Sequence, residues 1–318
     1  MVSEFQFIKN IKSRYSLEKI GDDCAVLPKD SKKDQVITTD LLIEDIDFRL
    51  EWTTPEFLGA KTLAVSLSDI AAMGGDPKWA MLSIGIPADI WNTSFIDHFY
   101  DGWFTLARQH DVELVGGDVS RSPDKIFLDS IVGGEAPKGK AILRSGAKPG
   151  DSIYVTGSLG GAAGGLMLLE SGFRATDSNK KDNELIARQL RPIPQLLIGK
   201  QLLELGLASA MIDVSDGLSS DLAHICRASG VGARIEAKYV PFDSNLSELA
   251  ITDEQRLGLA INGGEDFELL FTSQKKTISD TRITGIHHIG EITADIGVIE
   301  IVDGDEISIL LPEGYRHF

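Results

Sequence analysis

Cysteine is nearly absent. Cys24 and Cys226 are the only two in 318 residues and form no CxxC, so neither a disulfide framework nor a thiolate zinc site is indicated. The six histidines show no HExxH or comparable ligand spacing, which leaves transition-metal hydrolase chemistry without support. No apolar run reaches the roughly 18 residues that cross a bilayer. The opening MVSEFQFIKN lacks the long apolar stretch of a secretory signal, so a cytoplasmic location is expected. Positive charge is in deficit: Lys and Arg number 31 against 48 Asp and Glu, a net charge of -17. Bare nucleic acid and anionic membrane are therefore poor partners. The remainder, 42% hydrophobic and 25% charged, is ordinary globular material, long enough for about two domains.

Helical and strand patterns alternate along the chain. Phe5, Ile8, Ile11 and Tyr15 keep one helical face, QVITTD reads as a strand, and Thr54-Pro55-Glu56 opens a helix carrying Leu63, Leu67 and Ile70 over residues 55–73. WAMLSIGIP and KIFLDSIVGG read as strands flanking a helix from about Trp91 to Gln109. The Gly-, Pro- and Lys-rich stretch 137–152 marks a domain junction. Beyond it the expected order is strand SIYVTG, a Gly-rich helix start, helices through NELIARQL and PQLLIGKQLLELG, strand AMID, a helix to about Ala228, strands ARIEAKYV and FELLFT, and a hairpin turning at Asp303-Gly304.

Acidic residues gather where such strands end. Asp22 and Asp23 lie in IGDDCAV, Asp40 ends VITTD, Asp69 lies in SLSD, Asp118 follows Gly116-Gly117, and Asp213 and Asp216 lie in IDVSDGL. Each alone fits a cap or turn, and Asp216, just before Gly217 and a helix, fits an N-cap especially well. Together they repel by roughly 4 kcal/mol per pair at 4 Å and an effective dielectric near 20, so convergence requires cations. Oxygen donors without thiolate or imidazole point to Mg²⁺, which completes its shell with substrate phosphate. The stretch TGSLGGAAGGL (156–166) follows a strand and opens a helix, but it matches neither GxxxxGK[ST] nor GxGxxG. A phosphate cradle and tight helix packing both remain open there. Arg144 and Lys148 in RSGAKPGD are either phosphate partners or solvated linker charges.

The ordered set IGDDCAV, TTDLL, KTLAVSLSDIAAMGGDPKW, LVGGD, RSGAKPGD, IDVSDGLSSDL, NGGEDFELLFT and GYRHF resembles the thiamine-monophosphate kinase family of the aminoimidazole-ribonucleotide-synthetase-like ATP-binding superfamily. The resemblance implies a two-domain α/β (α+β) fold: residues 1–137 as an ATP- and metal-binding domain that forms a homodimer, and residues 138–318 as a C-terminal α/β domain. It implies γ-phosphoryl transfer from ATP, as co-substrate, directly to thiamine monophosphate, with several Mg²⁺ ions. Carried over by position, Asp23, Thr38, Thr39, Asp40, Asp69, Asp118, Asp213 and Asp216 match metal-site residues. Gly117, Arg144 and Ser215 match nucleotide contacts, with Tyr100 near the base, and Glu265 and Tyr315 match substrate contacts. Asp213, Asp216 and Arg144 are the residues expected to carry catalysis.

One departure stands out. The family has His-Phe seven residues after the TTD aspartate, and this chain has Asp47-Phe48. Asp47 either faces the cationic thiazolium or belongs to a solvated strand edge. Other superfamily activities, the synthesis of aminoimidazole ribonucleotide or of selenophosphate, fit GYRHF and GGEDFE less well. A non-catalytic nucleotide-binding maturation partner would keep Asp213 and Asp216 yet turn nothing over, and a purely structural scaffold would gain no stability from Mg-ATP.

Overall fold

A computed structural model describes residues 4–17, 19–174, 180–274, 278 and 283–316; His317 and Phe318 of GYRHF lie outside the described residues. The first half runs α1 (Glu4–Tyr15), β1 (Ala25–Pro28), β2 (Lys33–Ile43), α2 (Pro55–Ala72), β3 (Asp76–Ile86), a single turn α3 (Ala88–Trp91), α4 (Phe95–Gln109), β4 (Glu113–Arg121) and β5 (Phe127–Pro137). Its sheet has the order β1-β2-β5-β3-β4. Only the β3–β4 pair is parallel, joined through the α3–α4 crossover. The second half runs β6 (Ser152–Thr156), α5 (Gly161–Glu170), α6 (Lys180–Leu190), α7 (Leu196–Glu204), β7 (Ala210–Asp213), α8 (Leu218–Ser229), β8 (Gly232–Glu236), α9 (Asp253–Asn262), β9 (Leu269–Ser273), β10 (Ile286–Thr293), β11 (Ile299–Asp303) and β12 (Glu306–Ile309). These strands form a seven-stranded sheet ordered β12-β11-β8-β10-β6-β9-β7.

Helix α2 joins the halves. Its start is set as the sequence indicates: Pro55 needs no N–H partner in the first turn, and the Thr54 hydroxyl accepts from the Phe57 N–H at 3.2 Å. It is apolar or small nearly all round and is buried nearly all round, as such a helix must be. One side packs on β2 and β5, another on β7 and α7. Leu63, Leu67 and Ile70 are fully buried in a core that also takes Met211 and Phe271 from the second half. Each contributes about 2 kcal/mol of transfer free energy. Helix α4 crosses α2 at glycine: a Cβ on Gly59 would lie 1.9 Å from the Phe99 carbonyl oxygen, and one on Gly102 1.9 Å from that of Glu56.

Several readings change. The helix expected from about Trp91 to Gln109 begins only at Phe95, after the separate turn α3 and the segment 92–94. The strand expected through Val240 stops at Glu236, where a 3₁₀ turn over Ala237–Tyr239 takes over. In the last hairpin Asp303 pairs with Glu306, so the turn residues are Gly304 and Asp305, with Gly304 at φ 61° supplying the left-handed conformation. Strand β10 and helix α9 have no counterpart in the sequence reading.

Candidate active site

Period-2 alternation on β2 sorts its polar residues. Val36, Thr38, Asp40 and Leu42 face inward toward α2, whereas Thr39 and Leu41 face out. Buried hydroxyls then hold the inward acids: Thr38 donates to Asp69, Ser66 to Asp40 at 2.7 Å, and Ser68 to Asp213 at 2.6 Å. Asp213 ends β7 and is 2% exposed. Asp23 comes from the loop before β1, and Arg144 donates to its Oδ1 from Nη2 at 2.7 Å and from Nε at 3.2 Å. The Arg144 N–H in turn donates to Asp22 at 2.9 Å, so the IGDD turn fixes both ends of the arginine.

Asp23, Asp69 and Asp213 bring carboxylate oxygens within 4.8 Å of one another. Burial and mutual repulsion push Asp213, Asp69 and the neighbouring Asp40 up. Asp213 rises to about 7 through burial and then the Asp23 charge. Asp69 rises well above the usual carboxylate range through burial and then Asp40, Asp213 and Asp23. Asp40 rises to about 6, chiefly by burial. Burial opposes the Arg144 charge, yet the neighbouring carboxylates of Asp23, Asp69 and Asp213 hold it firmly protonated. One oxygen of this group, Asp23 Oδ2, is buried with no hydrogen-bond partner among the described residues. A buried carboxylate oxygen without a donor, beside two further carboxylates, fits a hard divalent cation.

A cleft of about 650 Å³ reaches this cluster at Asp40, with Asp47, Ser215, Asp216, Glu265 and Tyr315 also on its wall. Capping does not account for Asp216: the first turn of α8 is closed by Asp221, whose Oδ2 accepts from the N–H groups of Asp216 at 3.2 Å and Gly217 at 3.1 Å. Asp47 is not on a strand edge either. It sits in a tight turn after β2, where its Oδ2 accepts from the Ile43 N–H at 2.7 Å. Tyr315 is anchored by its N–H to the Asp216 carbonyl at 3.0 Å, and burial, then the Asp47 and Glu265 charges, raise its phenol.

Glu265 is the most tightly held of these. Lys61 Nζ donates to its Oε2 at 2.8 Å, and Gln189 donates to the same oxygen. Sequence reading missed both donors. Lys61 is 2% exposed in the midst of α2, and the one basic residue in that largely apolar helix was the available signal.

Four predicted residues lie elsewhere. The Thr39 hydroxyl donates to Asp129 at 2.8 Å on the outer face of the first sheet. Asp118 is exposed on edge strand β4, in the cross-strand row with Ser83 and Asp129, and is not part of the Asp23–Asp69–Asp213 group. There it shares a depression with Tyr100 and Gly117. Gly117 is needed for close approach, since a Cβ would lie 1.9 Å from the Leu82 carbonyl oxygen.

The Gly-rich start of α5 resolves toward packing. A Cβ on Gly165 would lie 2.1 Å from the Leu185 carbonyl oxygen of α6, and the Gly160 and Ala162 N–H groups donate to the Asp266 carboxylate.

The chain compares closely with characterised proteins. Residues 21–136 match the family AIR synthase related protein, N-terminal domain, and residues 148–303 match its C-terminal domain. Thiamine-monophosphate kinase of Escherichia coli K12 is 42% identical over 306 residues, covering 94% of this chain and 91% of that protein. Its Bacillus subtilis counterpart is 36% identical over 309 residues, covering 94% and 93%. A solved structure, AaThiL complexed with AMPPCP and TMP, superposes with a TM-score of 0.88 at 32% identity, covering 100% of this chain and 97% of that one. With that likeness running the length of both halves, the chain belongs to the thiamine-monophosphate kinase family of AIR synthase related proteins.

Proposed function

We propose that this protein phosphorylates thiamine monophosphate with ATP, giving thiamine diphosphate and ADP in one direct transfer. The observation that carries the reading is the buried Asp23–Asp69–Asp213 group, with its unpartnered Asp23 oxygen and Arg144, next to Asp40 and a cleft lined by Asp40, Asp47, Asp216, Glu265 and Tyr315. Identity of 42% to a thiamine-monophosphate kinase over nearly the whole chain supports this reading over the other superfamily activities and over a non-catalytic partner.

Both substrates are anions, and an acidic protein needs cations to bring them together. Asp23, Asp69 and Asp213, with Asp40 and Thr38 beside them and Asp216 on the cleft wall, are the residues assigned to hold Mg²⁺. When bound, Mg²⁺ neutralises charge on phosphate oxygens. Arg144 adds charge-assisted hydrogen bonds to phosphate. Tyr100, Gly117 and Asp118 are assigned to the nucleotide, with Ser215 at the cleft; Thr39, matched by position to the metal site, shares the outer face of the first sheet with Asp118. The acceptor is a phosphate oxygen already ionised near neutral pH, so no base has to remove a proton, and positioning carries the chemistry. Glu265 accepts from the aminopyrimidine, Tyr315 stacks on a thiamine ring, and Asp47 attracts the thiazolium cation.

The division at 137/138, a cytoplasmic location and a homodimer complete the reading. Strand β4 is an edge strand, and Val115 and Val119 on it and Met81 on the neighbouring β3 are exposed. An unpaired edge carrying apolar side chains is a surface that a second copy covers. The deciding experiment incubates the protein with Mg-ATP and thiamine monophosphate and measures thiamine diphosphate and ADP, with aminoimidazole-ribonucleotide and selenophosphate precursors as a substrate panel. Absence of thiamine diphosphate from protein that binds Mg-ATP would sink the proposal.

A further inference from the structure

The segment 263–268 joins α9 to β9 without helix or strand, yet it is closely determined. Glu265 at φ 66° and Phe267 at φ 51° both sit in the left-handed region, where non-glycine residues persist only if their surroundings hold them. Between them Asp266 is 4% exposed and points away from the cleft. Its Oδ2 accepts from the Gly160 N–H at 2.5 Å and its Oδ1 from the Ala162 N–H at 3.0 Å, which clips the segment to the first turn of α5. The Glu265 N–H donates to Ser215 at 2.8 Å and the Phe267 N–H to Val214 at 2.9 Å. Two consecutive residues of α6 divide the work: Gln189 holds the Glu265 carboxylate, while Arg188 lies 4.0 Å from Asp266 and 3.4 Å from Glu268. A backbone rotation that released Asp266 from α5 would swing Glu265 off Lys61 and Gln189.

We infer that Asp266 is a positioning residue for the acceptor site: it fixes the backbone that presents Glu265, and so sets affinity for thiamine monophosphate without touching it. The inference rests on the reading of Glu265 as an acceptor contact.

Steady-state kinetics on the full chain with Mg-ATP tests it, comparing wild type, Glu265→Gln, Asp266→Asn and the double variant. Each single change should raise KM for thiamine monophosphate about tenfold, with KM for ATP within about twofold and kcat within about threefold, the pattern of lost ground-state binding at one site. The double variant should stay within about twofold of Glu265→Gln, because the two residues act through one contact. Effects that multiply to about a hundredfold, or an equal rise in KM for ATP, would overturn the inference by making Asp266 a general structural residue. If Asp266→Asn does not fold, Asp266→Ser, which keeps a small acceptor, enters the same cycle with the same criteria. A wild-type chain that makes no thiamine diphosphate defeats the kinase reading alone. Calorimetric affinity for thiamine monophosphate on the same four proteins then decides Asp266 by the same non-additivity.

Discussion

Stripped of divalent cations, the protein should become more stable on mild acidification, the reverse of the behaviour of paired surface carboxylates. Asp213 is raised from 3.8 to about 7, first by burial and then by Asp23, and Asp266 is raised to about 7, first by burial. A carboxylate whose folded pKa exceeds its unfolded one binds protons in the native state that the unfolded chain has already released. Stability therefore falls as pH rises through about 4 to 7 and is lowest above that range. His224 acts in the opposite sense: burial, then Arg144 and Arg227, lower it from 6.5 to about 3, so it favours unfolding below its ordinary value. Over the step from pH about 8 to about 6.5 each acid titrating near 7 contributes about 1 kcal/mol, against about 0.4 kcal/mol of the opposite sign from His224, whose unfolded form is half protonated at the lower pH. Asp213 and Asp266, less the His224 share, raise Tm by about 2 °C in a chain of this size, and Asp69, raised further, adds in the same sense. The assay is differential scanning calorimetry at both pH values in EDTA, repeated with Mg²⁺. Magnesium should raise Tm at the higher pH and remove the Asp213 share of the pH effect while leaving that of Asp266. Asp213→Asn should show the reduced pH effect in EDTA and no response to Mg²⁺. A Tm in EDTA that is flat or falls on acidification, or an Asp213→Asn protein that responds to Mg²⁺ as wild type does, would refute the argument.

Further outcomes follow from the same geometry. Asp213→Ala and Asp216→Asn should each lower turnover by orders of magnitude with little loss of folded protein by circular dichroism, and near wild-type rates at limiting Mg²⁺ would remove both from the metal site. Asp47→Asn, measured at low salt where charge is least screened, should raise KM for thiamine monophosphate several-fold and leave that for ATP unchanged; unaltered kinetics would confine Asp47 to its turn with Ile43. A chiral γ-phosphate should emerge inverted, as one in-line step requires, whereas retention demands a phospho-enzyme. Gly165→Ala should cost about 2 kcal/mol in denaturant melts, since its Cβ meets a helix carbonyl rather than a movable side chain, and a neutral result would mean that α5 and α6 shift apart freely.

What could be read from the sequence and what could not divide along a physical line. Helix α2 and strands β2 and β7 were legible because their signals are local: a Thr-Pro cap, an apolar period and a strand ended by an acid. Strand β10, IHHIGEIT, was not, because its pairing slips between His288 and Gly290 and its side chains alternate poorly. The acids were legible as candidates, but the strand-end reading holds only for Asp213, since Asp40 and Asp118 lie within β2 and β4 and Asp69 within α2. Their grouping comes instead from period 2 on β2, which sends Thr38 and Asp40 inward and Thr39 outward to Asp129. Lys61 and Gln189 became site residues only when α2, α6 and the segment before β9 met around Glu265. The Gly-rich start of α5 shows the limit most sharply. A phosphate cradle and a close helix crossing both call for small residues with open N–H groups, so residues 156–166 could not choose between them. The choice belongs to Asp266, 104 residues beyond Ala162: its buried carboxylate takes the helix N-terminus for itself. The same bond that removes α5 as a phosphate site is the one that holds Glu265 in the cleft, and no pattern confined to either stretch contains it.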